Sequence, residues 1–217
     1  RWDLSHLKVA MSAAEKVRYK TLIAFTDAFS ACGFRREAFC PAYGLAEHAV
    51  GVTINSYEQV PQVMTVRRQE LEANGTVVAA SEQEADVRVK QLVGSGTAWN
   101  NTDVRIVKLN EDGEPLGIAP ADQVGEIWVS SLSKTLGYHK LPDATIEVFQ
   151  ARLPGVDVSS DDGKLEFLRT GDLGFWSSEN DELFVCGRNK DMIIIAGKNH
   201  YSEDMELNIA EELRGFL

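Results

Sequence analysis

Apolar positions in the first forty residues follow two rhythms. Leu7 to Met11 is a short apolar run of strand length. After it, Leu22, Phe25, Ala28 and Phe29 recur at helical spacing within Val17 to Ala31, and Gly33 supplies a stop. Ala38 to Ala42 is a second short run, and it delivers the chain into Tyr43-Gly44-Leu45-Ala46-Glu47. This strand–helix–strand order predicts part of an α/β sheet.

Residues 55 to 93 break the rhythm. Polar side chains dominate, Asn74-Gly75 signals a turn, and short β-type runs flank it at Met64 to Val66, Thr76 to Ala79 and Val87 to Val89. The segment reads as a solvated loop or a small β insertion. From about Val93 the pattern becomes strand-rich. Val104 to Leu109, Glu126 to Ser130, Leu165 to Leu168, Phe175-Trp176 and Glu182 to Cys186 are strands by pattern, with a turn at Asp112-Gly113. Pro142 to Phe149 fits a short helix with proline in its first turn. Met192 to Ala196 suits a buried strand, and Ser202 to Leu213 a helix with Ser202 as N-cap.

With 217 residues, 44% of them hydrophobic and 25% charged, the chain has the composition of a globular protein with a real core. No apolar run approaches the roughly 20 residues of a membrane-spanning helix. The net charge of -11 argues against nucleic acid as a partner, since phosphate binding needs a basic surface. Cys32, Cys40 and Cys186 have no metal-ligand spacing and are odd in number, which suits free thiols in a reducing, cytoplasmic setting. Arg1-Trp2 carries no leader pattern. The sequence reads as an internal piece of a longer protein, cut at both ends.

Four stretches carry candidate chemistry. Tyr43 at a strand end can lay its ring on a nucleobase, Gly44 lets backbone approach a ligand, and Glu47 can hold Mg²⁺. The bland alternative for this stretch is a strand–turn–helix junction with Glu47 at a helix start. In Thr170-Gly171-Asp172 the carboxylate can accept both hydroxyls of a ribose; otherwise the stretch is a β-turn. Gly187-Arg188, followed by Asn189 to Ser202, places a fixed cation where ribose or phosphate oxygens would lie. In Ser12-Ala13-Ala14-Glu15 small residues at a strand end let a flat ring lie on backbone, and the same residues match a capping box from Ser12 to Glu15.

In this order and spacing the four stretches resemble the adenylate-forming superfamily of acyl-CoA synthetases, peptide-synthetase adenylation domains and luciferases, over nearly the whole chain. The wording is most similar to the fatty acyl-AMP ligases, through Tyr43-Gly44-Leu45-Ala46-Glu47, Arg169 to Phe175 and Gly197-Lys198-Asn199-His200-Tyr201. Gly125 to Val129, Gly137-Tyr138 and Thr145 to Phe149 fit as well. The resemblance implies an α/β fold: the C-terminal part of the large adenylate-forming domain, with an α/β and a β-rich subdomain, across residues 1–190. Residues 191–217 would be the hinge and the start of the small C-terminal domain.

The implied roles follow by position. Tyr43 and Gly44 would meet the adenine of ATP or AMP, with Ala13, Ala14 and Glu15 at its border. Glu47 would be catalytic through Mg²⁺, Asp172 would bind the ribose, Arg188 ribose or phosphate, and Asp191 would be the hinge. Residues 55 to 93 fall where fatty acyl-AMP ligases carry an insertion that restricts domain rotation. The segment is expected to pack on the large domain through Val60, Val63, Met64, Val66 and Leu71. The implied reaction joins a fatty acid to AMP and passes the acyl group to an acyl carrier protein. The phosphate loop and catalytic lysine of the family have no counterpart here, so the chain alone is expected to be inactive. The sequence departs from the family at Ala13 and Lys16, where Gly and Pro are usual, and at His48, Lys198 and Ser202. An acyl-CoA synthetase and a non-catalytic sensing or interaction module are the competing readings.

Overall fold

The computed structural model describes residues 2–81, 84, 88–195 and 198–213. Strand β1 (Ala10–Ser12) begins three residues later than the apolar run does. Leu7 serves packing instead, beside Leu22, Phe34 and Phe39. Helix α1 (Tyr19–Phe29) starts after Arg18, so the capping box at Ser12 does not form; residues 13–18 are a connecting loop. Leu22 is the buried member of the predicted helix face, while Phe25 meets the rings of Phe29, Phe34 and Phe39 at centroid distances of 4.5–5.6 Å, tilted against the first and edge-on to the other two. Ala28 points to solvent. Strand β2 (Phe39–Tyr43) runs parallel to β1, with Ala10 opposite Phe39.

The chain continues through β3 (Thr53–Ile54), β4 (Val63–Arg67), α2 (Arg68–Asn74), β5 (Val89–Val93) and β6 (Thr97–Ala98). Strands β3 and β6 complete a four-stranded sheet in the order β1-β2-β3-β6. The polar stretch 55–93 is therefore neither a loop nor purely β. Strands β4 and β5 form an antiparallel ribbon with α2 between them, and Asn74-Gly75 ends that helix rather than turning a hairpin. Thr76 to Ala79 makes isolated bridges only, and Val87 lies outside the described residues. Val66, Leu71 and Leu92 are buried against Leu173, Phe175 and Phe184. Met64 packs on that cluster and Val63 on the one around Leu22, whereas Val60 stays exposed. A helix with one buried leucine and a charged remainder has too little apolar periodicity to be read from sequence.

The second half holds β7 (Asp103–Leu109), β8 (Pro115–Ile118), β9 (Gly125–Ser130), α3 (Pro142–Phe149), α4 (Asp161–Lys164), β10 (Leu168–Trp176) and β11 (Leu183–Arg188). Its strands form an antiparallel sheet in the order β11-β10-β9-β7-β8. Ile106, Ile127, Val129, Leu168 and Leu183 make one core with Phe149 of α3. Strand β10 is one long element where the pattern suggests two short ones, so Thr170-Gly171-Asp172 lies inside a strand.

After a single turn of 3₁₀ helix at Asn189–Asp191 come β12 (Met192–Ile195), β13 (Lys198–Tyr201) and α5 (Ser202–Leu213). The expected strand Met192–Ala196 holds over β12, with Ala196 outside the described residues. It is not buried: Ile193, Ile194 and Ile195 remain 46–61% exposed, because β12 and β13 form a two-stranded ribbon with one partner each. Asp204 of α5 is bonded to Lys90 of β5 and lies 3.6 Å from Lys16, with the three side chains 25%, 6% and 12% exposed. Both ammonium groups sit over the buried ring of Tyr201, at 4.4 Å for Lys90 and 5.8 Å for Lys16. Among the described residues no helix is long and apolar enough to cross a membrane.

Candidate functional site

An open cleft of about 260 Å³ lies between the end of β2, the loop after β1 and the paired strands β10 and β11. Ala14, Glu15, Lys16, Tyr43, Gly44, Asp172 and Arg188 all line it. Ala13 lies on an adjoining groove formed by residues 12–18, Thr21 and Leu22. Four stretches far apart in sequence thus meet in one place. Ala14 adopts a left-handed backbone, with φ of 74°, as the chain turns out of β1. Gly44 is demanded by its own fold: a side-chain carbon there would stand 1.4 Å from the carbonyl oxygen of Val50.

The centre of the cleft is a carboxylate with two donors. The Tyr43 hydroxyl donates to Asp172 Oδ2 at 2.7 Å, and Arg188 Nε donates to Asp172 Oδ1 at 3.1 Å. Asp172 and Arg188 are direct cross-strand partners of β10 and β11. Burial and the negative charge of Asp172 push the Tyr43 hydroxyl well above its usual range, so it is a neutral donor.

Asp172 is aimed into the cleft by a bulge. The register of β10 shifts between Arg169 and Leu173 against β9, and again after Leu173 against β11, with Gly171 left-handed at φ of 71°. Glu126, 3% exposed, holds this bulge. Its carboxylate accepts from Gly171 N at 3.1 Å, Trp128 Nε1 at 2.9 Å and Arg169 Nε at 3.1 Å. Thr170 Oγ1 donates to the Ile127 carbonyl and accepts from Asp172 N. Sequence reasoning missed Glu126. The available signal was a lone carboxylate within the apolar run Gly125 to Val129, since a buried charge needs partners. It also missed Lys16, whose ammonium donates to the Cys186 carbonyl at 3.1 Å besides facing Asp204.

Glu47 and Asp191 do not line the cleft. Asp191 is exposed in the turn between β11 and β12. Glu47 sits on a 3₁₀ turn, Ala46–His48, directly after β2, not on an α-helix. Its Oε1 accepts from the Tyr138 hydroxyl at 2.8 Å. The Arg188 charge favours ionisation of Tyr138, although burial and Glu47 outweigh it and raise that hydroxyl.

Among the described residues no group of three or more His, Cys, Asp or Glu side chains could hold a metal. A single carboxylate is still a sufficient protein ligand for Mg²⁺ when ligand phosphates complete its shell. Glu47, with Oε1 anchored, has the chemistry for that arrangement. Cys32, Cys40 and Cys186 are free thiols.

No protein-family model matches the chain. Over 207 residues it is 39% identical to the medium-chain-fatty-acid–acyl-carrier-protein ligase JamA of Moorena producens, covering 95% of this chain and 33% of that protein. It is 36% identical over 213 residues to the 4-hydroxyphenylalkanoate adenylyltransferase of Mycobacterium marinum, covering 96% of this chain and 32% of that one. A structure from studies of fatty acyl-adenylate ligases of E. coli and L. pneumophila matches with a TM-score of 0.77 at 32% identity, over 97% of this chain and 34% of its own. The L. pneumophila fatty acyl-adenylate ligase in complex with acyl adenylate and pyrophosphate matches with a TM-score of 0.74 at 36% identity, over 87% and 30%. The chain spans about a third of the length of the curated relatives it matches.

Proposed function

Because this chain is a homologue of the fatty-acid–AMP and fatty-acid–CoA ligases along nearly its whole length, we propose that it supplies part of the nucleotide site of such a ligase. The full enzyme activates a fatty acid with ATP to an acyl-adenylate, releasing pyrophosphate, and passes the acyl group to an acyl carrier protein. The setting is cytoplasmic, which the free thiols suit.

One observation carries the reading: Tyr43, Asp172 and Arg188, brought from three strands, converge on one cleft. Asp172 accepts the ribose hydroxyls, the Tyr43 ring faces adenine with Ala13, Ala14, Glu15 and Gly44 beside it, and Arg188 contacts ribose or phosphate oxygens. Glu47 holds Mg²⁺, which when bound offsets charge on the phosphates. Asp191, in the short turn between β11 and β12, is the hinge where the small domain begins. Domain rotation is limited by the 55–93 segment, whose Val66, Leu71 and Leu92 share a core with β10 and β11.

The test is Asp172→Asn in the full-length ligase. Hydrogen bonds to a charged acceptor contribute about 1.5–3 kcal/mol each, so kcat/KM for ATP should fall tenfold or more while the fold persists. A folded variant with near-normal ATP kinetics would reduce Asp172 to a structural role. Product analysis with fatty acid, ATP, coenzyme A and carrier protein separates the acceptors. Efficient acyl-CoA formation by the intact ligase would replace carrier transfer with the synthetase reading, which suits relatives named as fatty-acid–CoA ligases.

A further inference from the structure

The carboxylate of Glu47 is held by a clasp that the nucleotide cleft does not include. Residues 131–138, the loop after β9, reach back to the Ala46–His48 turn at three points. The Ser131 hydroxyl lies 2.7 Å from His48 Nε2, Thr135 N donates to the Glu47 carbonyl at 2.9 Å, and the Tyr138 hydroxyl donates to Glu47 Oε1.

The imidazole of this clasp is bonded on both nitrogens. His48 is fully buried and its Nδ1 lies 2.8 Å from the Gly51 carbonyl oxygen. A carbonyl only accepts, so Nδ1 carries a proton, and Nε2 shares the other hydrogen bond with the Ser131 hydroxyl, which can donate or accept. Ser131 Oγ in turn accepts from Ser133 N at 2.9 Å. Every polar atom of the imidazole is thereby used inside the protein, leaving none for a ligand.

The turn needs this support. Ala49 and Val50 both adopt left-handed backbones, with φ of 47° and 84°. For a β-branched valine that conformation is strained, and it persists only where surrounding contacts over-determine it. The His48 ring ties this segment to Ser131 on one side and Gly51 on the other. Tyr138 is itself fixed: its ring meets the buried Phe149 edge-on at 5.0 Å, and Thr145 Oγ1 accepts from its backbone N–H at 3.0 Å.

We propose that Tyr138 and His48 are positioning residues for Glu47, Tyr138 through the carboxylate and His48 through the backbone that carries it. The inference rests on the reading of Glu47 as the Mg²⁺ carboxylate. Partners that orient a metal ligand change metal affinity by about 10–100-fold when removed, without contacting the metal.

The test measures binding rather than turnover. The full-length ligase is titrated with Mg²⁺ at a fixed concentration of a non-cleavable α,β-methylene analogue of ATP, and the thermal shift is read. The shift produced by AMP without metal serves as the reference. Tyr138→Phe removes one hydroxyl and should raise the Mg²⁺ midpoint roughly tenfold, leaving the AMP shift unchanged. Ser131→Ala, milder than any change at the buried His48, should raise it in the same direction. In a Glu47→Gln background Tyr138→Phe should add less than a twofold effect, because the group it orients is already lost. Midpoints for Tyr138→Phe and Ser131→Ala within twofold of the parent, with Glu47→Gln clearly raised, would overturn the positioning roles and leave the Glu47 assignment standing. A parent-like midpoint in Glu47→Gln would remove the assignment and the inference together. Loss of the AMP shift alongside the Mg²⁺ response would mark a general structural effect and refute the proposal.

Discussion

Replacing Asp204 by Asn should loosen the C-terminal ribbon and α5 while leaving the two larger sheets intact. In the parent, Asp204 faces Lys90, which is almost fully buried, and Lys16, which is nearly so. The variant keeps the shape and deletes the charge, so two ammonium groups face each other with a neutral amide between them. Breaking a buried pair by removing one partner costs about 3–5 kcal/mol, and an Asn oxygen still accepts one bond, so about 3 kcal/mol is a fair figure. That is roughly a hundredfold rise in local opening. Native-state hydrogen exchange of the amides in 198–213 reads it directly. The pH dependence supplies an independent check. Burial alone would raise the Asp204 carboxyl, but Lys16 and Lys90 outweigh it and hold the group below its ordinary value. A lowered folded-state value means that the contribution is present above about pH 4 and lost as pH falls through the folded value. The parent should therefore lose protection of 198–213 in acid, and the variant should show no such step. Exchange within threefold of the parent at pH 7, or an unchanged acid step in the variant, would refute the reasoning.

Glu126→Ala should destabilise the protein by about 3–5 kcal/mol, because Trp128 Nε1, Gly171 N and Arg169 all lose their acceptor; chemical denaturation measures this, and a loss below 1 kcal/mol would show the bulge to be self-supporting. Glu182 is 6% exposed, its Oε2 has no hydrogen-bond partner, and burial raises its carboxyl above the ordinary value. A raised folded-state value makes this ionised group a growing penalty as pH climbs above about 4.5. Glu182→Gln should thus be more stable than the parent at pH 8, by about 1 kcal/mol, with the gap closing towards pH 4.5; melting temperatures that differ equally at both pH values would contradict this. Pyrophosphate exchange assayed on the purified 217-residue chain should sit at background, and fatty-acid-dependent exchange would contradict the view that further parts of the ligase are needed.

What could be read from the residues divides along physical lines. Strands with several apolar positions were legible, as β2, β7, β9 and β11 show, and α3 was recognisable from its proline. The bulge in β10 was not: Gly171-Asp172 carries the composition of a turn, and only the pairing with β9 and β11 turns it into a bent strand. The segment 55–93 was read as polar because its surface is polar, yet its few apolar residues complete a core that Phe175 and Phe184 begin. Tertiary context decides such a segment, and no local pattern contains it. Tyr43, Asp172 and Arg188 each stand in a short motif that can be picked out along the chain, and the structure brings the three to one cleft. Glu126, Ser131 and Tyr138 act through other residues, and their spacing along the chain encodes nothing about those contacts. His48 stood out only as a departure, and its burial against Ser131 explains why an imidazole is accommodated there.

The bond between Tyr43 and Asp172 bears on how the cleft would tell one sugar from another. The carboxylate holds a phenol proton on one oxygen and a guanidinium proton on the other, and each oxygen keeps a second lone pair. On the proposed reading, the two ribose hydroxyls add to those remaining lone pairs without displacing either donor. Tyr43 and Arg188 then act as a jig that sets which way the free lone pairs face. Tyr43→Phe would release one side of the carboxylate, and discrimination against 2′-deoxy sugars would weaken with it.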